Sequence, residues 1–301
     1  MTLVSILLAL AIDRLTLWHR DSGLQQIWQQ LLETFARRMP TGWDGMGGGL
    51  LLILPPVLVM GLIQWLIAGW LFGLVGIVLA VAVLVFMLGP LDVVNSVDDY
   101  IDARRSNDPE RSDFYYRRVV GEAPPESPVE EGRAMARAVF HQGHDHLFGT
   151  LFWFCVLGPM GAVFHRVAAE AALRPGSAIN ARPALARAAR DIFAVLSWIP
   201  TRLLAFGYAM TGSFEAALRQ LRVGAVGAAG DWLRANQLLL ADTGAAALRS
   251  GEDDSGDLAA EVDRRANDAA TAVAAARALV MRAVVFWLAI LALLTLAGWL
   301  G

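Results

Sequence analysis

Lysine is absent from this chain: all 25 basic residues are arginines. That excludes the P-loop lysine of nucleotide hydrolases, the lysine of protein kinases and any Schiff-base cofactor. A nucleotide here would have to be held by arginine or by a metal. Cysteine is nearly as scarce. Cys155 is the single one, so the chain carries neither an intramolecular disulfide nor a zinc-ribbon site. Charge is thin, at 18% of residues with a net of −3, and the arginines form no basic stripe with interleaved aromatics, which argues against nucleic acid as a partner. Nor do the glycines follow a phosphate-binding spacing: Gly47, Gly48 and Gly49 open an apolar run, and Gly224, Gly227 and Gly230 repeat every third residue.

What fills the chain instead is apolar. Hydrophobic residues make up 56% of it and the mean hydropathy is +0.49, well above a soluble domain of this size. From Gly45 to Leu91 no residue is charged, and Gln64 is the only strongly polar side chain. As one helix those 47 positions would reach about 70 Å, more than twice the hydrocarbon thickness of a bilayer. The run must turn back, and Gly69, Gly73 and Gly76 offer the bend, which predicts membrane helices over 50–68 and 71–93. Further apolar runs cover 3–18, 147–164, 192–212 and 283–300. The first lacks a positive leader region and reads as a membrane helix rather than a cleaved signal. The run over 192–212 holds Pro200 and Arg202, so it reads as a broken or re-entrant helix facing a protein-lined cavity.

The fold expected is therefore all-α, a polytopic membrane helical bundle with five or six spans in one domain over 1–301. Helical soluble loops over 95–146 and 215–280 complete it. Arginines set the orientation. The 95–146 loop holds seven and the turn near Gly69 none, which places that loop in the cytoplasm, beside a membrane crossed several times. The segment from Arg166 to Arg190 holds five arginines where a strict crossing pattern requires an external loop. Either that loop departs from the trend or a flanking span does not cross.

Four polar groups stand out. Asp13 and Arg14, near the inner end of the first helix, form a pair that reaches headgroups or lies buried as a functional pair. Asp98 and Asp102 are four apart, so their carboxylates share a helix face suited to Mg²⁺, or merely complement the helix dipole. His141, His144 and Asp145 share one helix face, while His146 points about 140° away from His141. Imidazole and carboxylate at that spacing bind a divalent metal or move protons near neutral pH. Finally, Trp198 and Arg202 lie inside an apolar run, where an arginine needs an anionic partner such as Asp13, Asp145, or the phosphate or carboxylate of a ligand.

At these residues the chain resembles a known family. The order Leu10-Ala11-Ile12-Asp13-Arg14-Leu15, Ser106-Asn107-Asp108, Leu151-Phe152-Trp153 with Gly158-Pro159, and Leu196-Ser197-Trp198-Ile199-Pro200-Thr201-Arg202-Leu203 is similar to the AmpE family, within the CobD/CbiB cobinamide-synthase superfamily. The resemblance implies an inner-membrane regulatory protein linked to β-lactamase induction and cell-wall stress signalling. Its implied partners are the lipid bilayer, a cell-wall-derived or phosphorylated ligand, and a protein contacting the cytoplasmic loops. The cobinamide branch carries a G-R-D-T signature where this chain reads Val120-Gly121-Glu122-Ala123, which sets an amide-forming ligase second. A small transporter ranks third, because only one interrupted segment appears where such folds pair them.

Overall fold

The computed structural model describes residues 5–10, 23–38, 40, 42–67, 74–88, 92–174, 176–224, 231–248 and 269–297. Among them every regular element is a helix: α1 (Gly23–Arg38), α2 (Met46–Ile67), α3 (Leu74–Leu88), α4 (Asp92–Arg105), α5 (Pro109–Val120) and α6 (Pro128–Gln142). A π-helical stretch, Gly143–Phe148, joins α6 to α7 (Gly149–Leu157); then follow α8 (Pro159–Leu173), α9 (Pro183–Thr211), α10 (Phe214–Gly224), α11 (Trp232–Leu248) and α12 (Ala269–Leu296). Residues 5–10 are also helical, whereas Asp13, Arg14 and the turn near Gly69 lie outside the described residues.

Among the described residues, three helices are long and apolar enough to cross a membrane: α2, α9 and α12. They differ in what surrounds them. The most apolar window of α9 is 67% buried inside the protein, against 22% for each of the other two. Thus α2 and α12 present greasy faces outward, while α9 is largely enclosed by protein.

The expected straight span over 147–164 is corrected. Gly158 adopts φ 67° and ψ −153°, a conformation open essentially only to glycine, and Pro159 starts a new helix behind it. The chain reverses there. A Cβ on Gly161 would stand 2.0 Å from the Trp153 carbonyl oxygen, and one on Gly149 would stand 2.3 Å from His165 Nε2. Positions sixteen residues apart touch only if α7 and α8 form an antiparallel hairpin, and glycine lets the two backbones close on each other. Its tip needs partners, because helix ends leave amides and carbonyls open and an apolar surrounding supplies none. Gln64 of α2 meets the need with both ends of its amide: Oε1 accepts from Met160 N at 3.2 Å, and Nε2 donates to Leu157 O at 3.5 Å. The lone polar side chain of the long charge-free run is thus a hairpin cap.

A second correction concerns 192–212, which is neither broken nor re-entrant in its backbone. α9 runs unbroken through Pro200. Proline at 200 removes the amide that would bond the Leu196 carbonyl, and Trp153 Nε1 donates to that oxygen instead at 3.1 Å. The indole of the hairpin keeps the helix whole.

Polar helices α4 and α6 sit beside the N-terminal half of α12, and α5 packs on both of them. Asp108 caps α5 by accepting from Arg111 N at 3.1 Å, and Gly121 ends it at φ 87°. Gly132 of α6 meets Ala269 and Gly143 meets Val280, so α12 runs parallel to α6 in steady register. Across α4 and α6, buried Glu131 accepts from Tyr100 Oη at 2.7 Å and pairs with Arg104. Burial, and then the bond to Glu131, pushes the Tyr100 phenol well above its usual range. The core between these layers is built on Tyr100, Tyr116, Phe140, Phe154, Phe193 and Tyr208, all fully buried.

Candidate functional site

The end of α6 and the π-helical stretch carry His141, His144 and Asp145; α9 carries Phe193, Ser197 and Thr201; α11 carries Leu233, Asn236, Gln237 and Leu240. Together they line one small cleft of about 10 Å³, room for roughly one water molecule. The π-helical turn matters to its shape, since an extra residue per turn shifts the side chains that follow and such bulges recur at functional sites.

Inside, the polar groups form a relay. His144 Nδ1 lies 2.7 Å from Asp145 Oδ1, and its Nε2 lies 3.2 Å from Thr201 Oγ1. An ionised carboxylate only accepts, so Nδ1 carries the hydrogen, and in the neutral ring Nε2 accepts from the threonine hydroxyl. His141 Nε2 donates to the Gln237 carbonyl at 3.1 Å. Burial lowers the His141 pKa despite the neighbouring Asp145. Burial acts upward on Asp145, but the His144 hydrogen bond and the surrounding imidazoles win, and its carboxyl is held below the usual range. Ser197 Oγ is buried with no partner. At the rim, Arg202 Nη1 donates to Trp198 O at 2.9 Å and Asn236 Oδ1 at 3.2 Å, with its guanidinium 4.0 Å above the Trp198 ring.

The structure brings the histidine cluster and the Trp198–Arg202 segment to one place. Asp98 and Asp102 do not join them. Asp98 pairs with Arg277 of α12 at 2.7 Å, outside the cavity lining. Burial raises its pKa, with Arg277 pulling back. Asp102 is exposed on α4.

His141, His144 and Asp145, the residues expected to bind a metal, make contacts to protein partners. Both nitrogens of His144 face protein partners and His141 Nε2 faces a carbonyl, so the three do not converge on one ion. Among the described residues, no group of three His, Cys, Asp or Glu side chains is placed to hold a metal.

Other site groups carried weaker signals in the sequence. Asn236 and Ser197 look like ordinary polar residues, and α10 and α11 read as one helix over Glu215–Ala241, although Gly224 ends the first and Trp232 starts the second. His165 and Arg166 sat past an expected span. In the folded hairpin His165 bonds Thr150 at 3.2 Å, and Arg166 holds Glu170 at 2.9 Å and also meets His146. Four of the five histidines thereby gather around the hairpin base.

These features define an all-helical protein with membrane-spanning helices and a polar cavity walled by an enclosed helix and a hairpin. Residues 1–300 match the family described as "Regulatory signalling modulator protein AmpE". The chain belongs to that family, and it is a regulatory membrane protein. It is also similar to the "Cobalamin biosynthesis protein CobD" of Stutzerimonas stutzeri (strain A1501), at 39% identity over 93 residues, which is 30% of each chain. The chain thus matches less than a third of the length of that curated relative. No solved structure matches the chain.

Proposed function

We propose that this protein is a multi-pass inner-membrane sensor that modulates β-lactamase induction under cell-wall stress, with the cavity between α6, α9 and α11 as its ligand site. The observation that carries the reading is buried polar capacity left open in that cavity: Ser197 Oγ has no partner, beside a His144–Thr201 bond that a ligand hydroxyl can replace. Among the described buried atoms without a partner, Ser197 Oγ is the one whose residue lines this cavity. Ligand entry would part His141 from Gln237 and shift α11 against α6, so the two-state element is α11. The polar surface of α4 and α5 is where a protein partner would read that shift.

The topology we assign has four crossings: the first helix, α2, α3 and the apolar end of α12. The reversal at Gly158 supports a hairpin that enters and leaves on one side, which brings the five arginines from Arg166 to Arg190 to the same face as the 95–146 loop and restores the positive-inside pattern. We treat α9 as a helix lying within the protein, since its start meets Gly49 and its end meets Phe140, both toward that face.

The test is a β-lactamase induction reporter in cells lacking the protein, complemented with the intact chain or Ser197→Val. Complementation should restore the response, and the valine, which fills the cavity, should shift it several-fold at equal membrane abundance. Unchanged induction on removing the protein overturns the reading. The second reading, a membrane amide-forming ligase, is compatible with the partial likeness to the cobalamin biosynthesis protein. Nucleotide-dependent turnover by the purified protein, lost in Asp145→Asn, would establish it.

A further inference from the structure

Arg202 sits in the middle of an apolar stripe. Val195, Ile199, Phe206 and Met210 are exposed on α9, and their offsets of 4, 11 and 15 residues keep them on one face with Arg202 at offset 7. Trp198 is exposed beside them. Such a stripe faces lipid, with an aromatic and an arginine at the level where headgroups meet acyl chains.

Several arginines of the bundle are matched by acids: Arg104 by Glu131, Arg166 by Glu170, Arg182 by Asp44 and Arg277 by Asp98. Arg202 differs. Its described contacts are a backbone carbonyl, the amide oxygen of Asn236 and the face of Trp198, and among the described residues no Asp or Glu pairs with it. Both hydrogen bonds run through Nη1, so most of a five-donor fork is left for an anion from outside the chain. Stacking on Trp198 holds the fork flat and in place. Just inside, Ser197 lines the cavity, and Asn236 is engaged by Arg202 and by the Ala194 carbonyl, which fixes the arginine at the mouth.

We propose that Arg202 and the mouth of the cavity hold the phosphodiester of a membrane lipid, which enters sideways with its acyl chains along the Val195–Met210 stripe and its neutral, hydroxylated headgroup directed toward Ser197. The Asp145 carboxylate deeper in the same cavity rejects a second negative charge, so the fit is to a singly charged diester. This site deepens the sensory reading and rests on it for its role, since it makes the ligand part of the bilayer.

The measurement is lipid retention by the full-length protein, extracted into detergent and followed by native mass spectrometry after exchange against phosphatidylglycerol, phosphatidylcholine or water-soluble glycerol phosphate. The wild type should keep one phosphatidylglycerol. Arg202→Gln should lose it at least ten-fold and Ser197→Val two- to five-fold, with Arg202→Lys and Trp198→Phe in between. Equal retention of phosphatidylcholine, or displacement of the lipid by glycerol phosphate at equal concentration, overturns the proposal, the latter in favour of a free phosphate ligand. If Arg202→Gln does not fold, as judged by thermal denaturation in the same detergent, the decision passes to Arg202→Lys and Trp198→Phe, and retention unchanged in both rejects the site. A lipid retained by a protein whose pocket variants leave the induction reporter unmoved breaks the sensory reading alone. A reporter that responds to those variants without lipid retention breaks this inference alone.

Discussion

Two of the buried polar networks in this bundle are finished to different degrees. Around Glu131, the tyrosine hydroxyl of Tyr100 and the guanidinium of Arg104 use the carboxylate from two sides. Around His144, the relay is made, but Ser197 Oγ next to it has no partner and Arg202 at the rim has no described acid. The first network fastens α4 to α6. The second stays open, as do other buried polar atoms among the described residues, Ser112 Oγ and Tyr208 Oη included. A closed network holds structure, and an open one has capacity left for a further partner.

Variants can break that contrast, beginning with the backbone that supports the second network. Gly161→Leu should abolish folding, because its side chain would start inside the Trp153 carbonyl; the expected loss exceeds about 3 kcal/mol and shows as absence of membrane-integrated protein. Glu131→Ala comes next. Removing one partner strands a part-buried arginine and a tyrosine hydroxyl, at a cost of about 2 to 4 kcal/mol in thermal denaturation. The response of the reporter per folded molecule should not change. Gln64→Leu should cost about 1 to 3 kcal/mol by orphaning the hairpin tip. Ser197→Ala lies at the opposite pole: stability within about 0.5 kcal/mol of wild type, with the response altered. If Ser197→Ala destabilises like Glu131→Ala, the two networks are of one kind and the contrast is lost.

Acid offers a finer test. Burial lowers the His141 pKa, and burial with the Arg166 guanidinium brings His146 down to about 4. Both therefore fold preferentially uncharged. Their contribution is present above the unfolded value near 6.5 and is lost as pH falls from there toward about 4. Melting temperature in detergent should drop over that range, and His146→Gln should flatten the drop. A profile that rises toward acid contradicts the assignment. A single cysteine at Asn180, in a Cys155→Ser background, should react with a membrane-impermeant thiol reagent only from the cytoplasmic side if the hairpin returns as assigned.

Much of this was legible in the residue string, and what escaped it has physical reasons. Charge-free runs mark lipid-exposed helices because hydrocarbon tolerates little else, so α2 and the end of α12 were plain. The histidine cluster and Arg202 draw attention by being ionisable beside apolar runs; His141, His144 and Asp145 line the cavity, and Arg202 reaches its lining through Asn236. The reversal at Gly158 was hidden because an 18-residue apolar run reads alike whether it crosses or doubles back. Only the backbone angle at one glycine and the amide of Gln64, 94 positions earlier, tell them apart. Pro200 misled in the other direction. A proline predicts a break when its missing donor stays missing, and Trp153 was not visible as the substitute. Asn236 escaped since nothing local separates it from any other surface amide.

The Gln64 amide makes α2 more than a greasy tether. A generic leucine helix of equal length would satisfy the bilayer but leave the Met160 amide and the Leu157 carbonyl bare. Transplanting anchors from unrelated proteins should therefore fail at this one helix unless a glutamine is carried along at the matching depth.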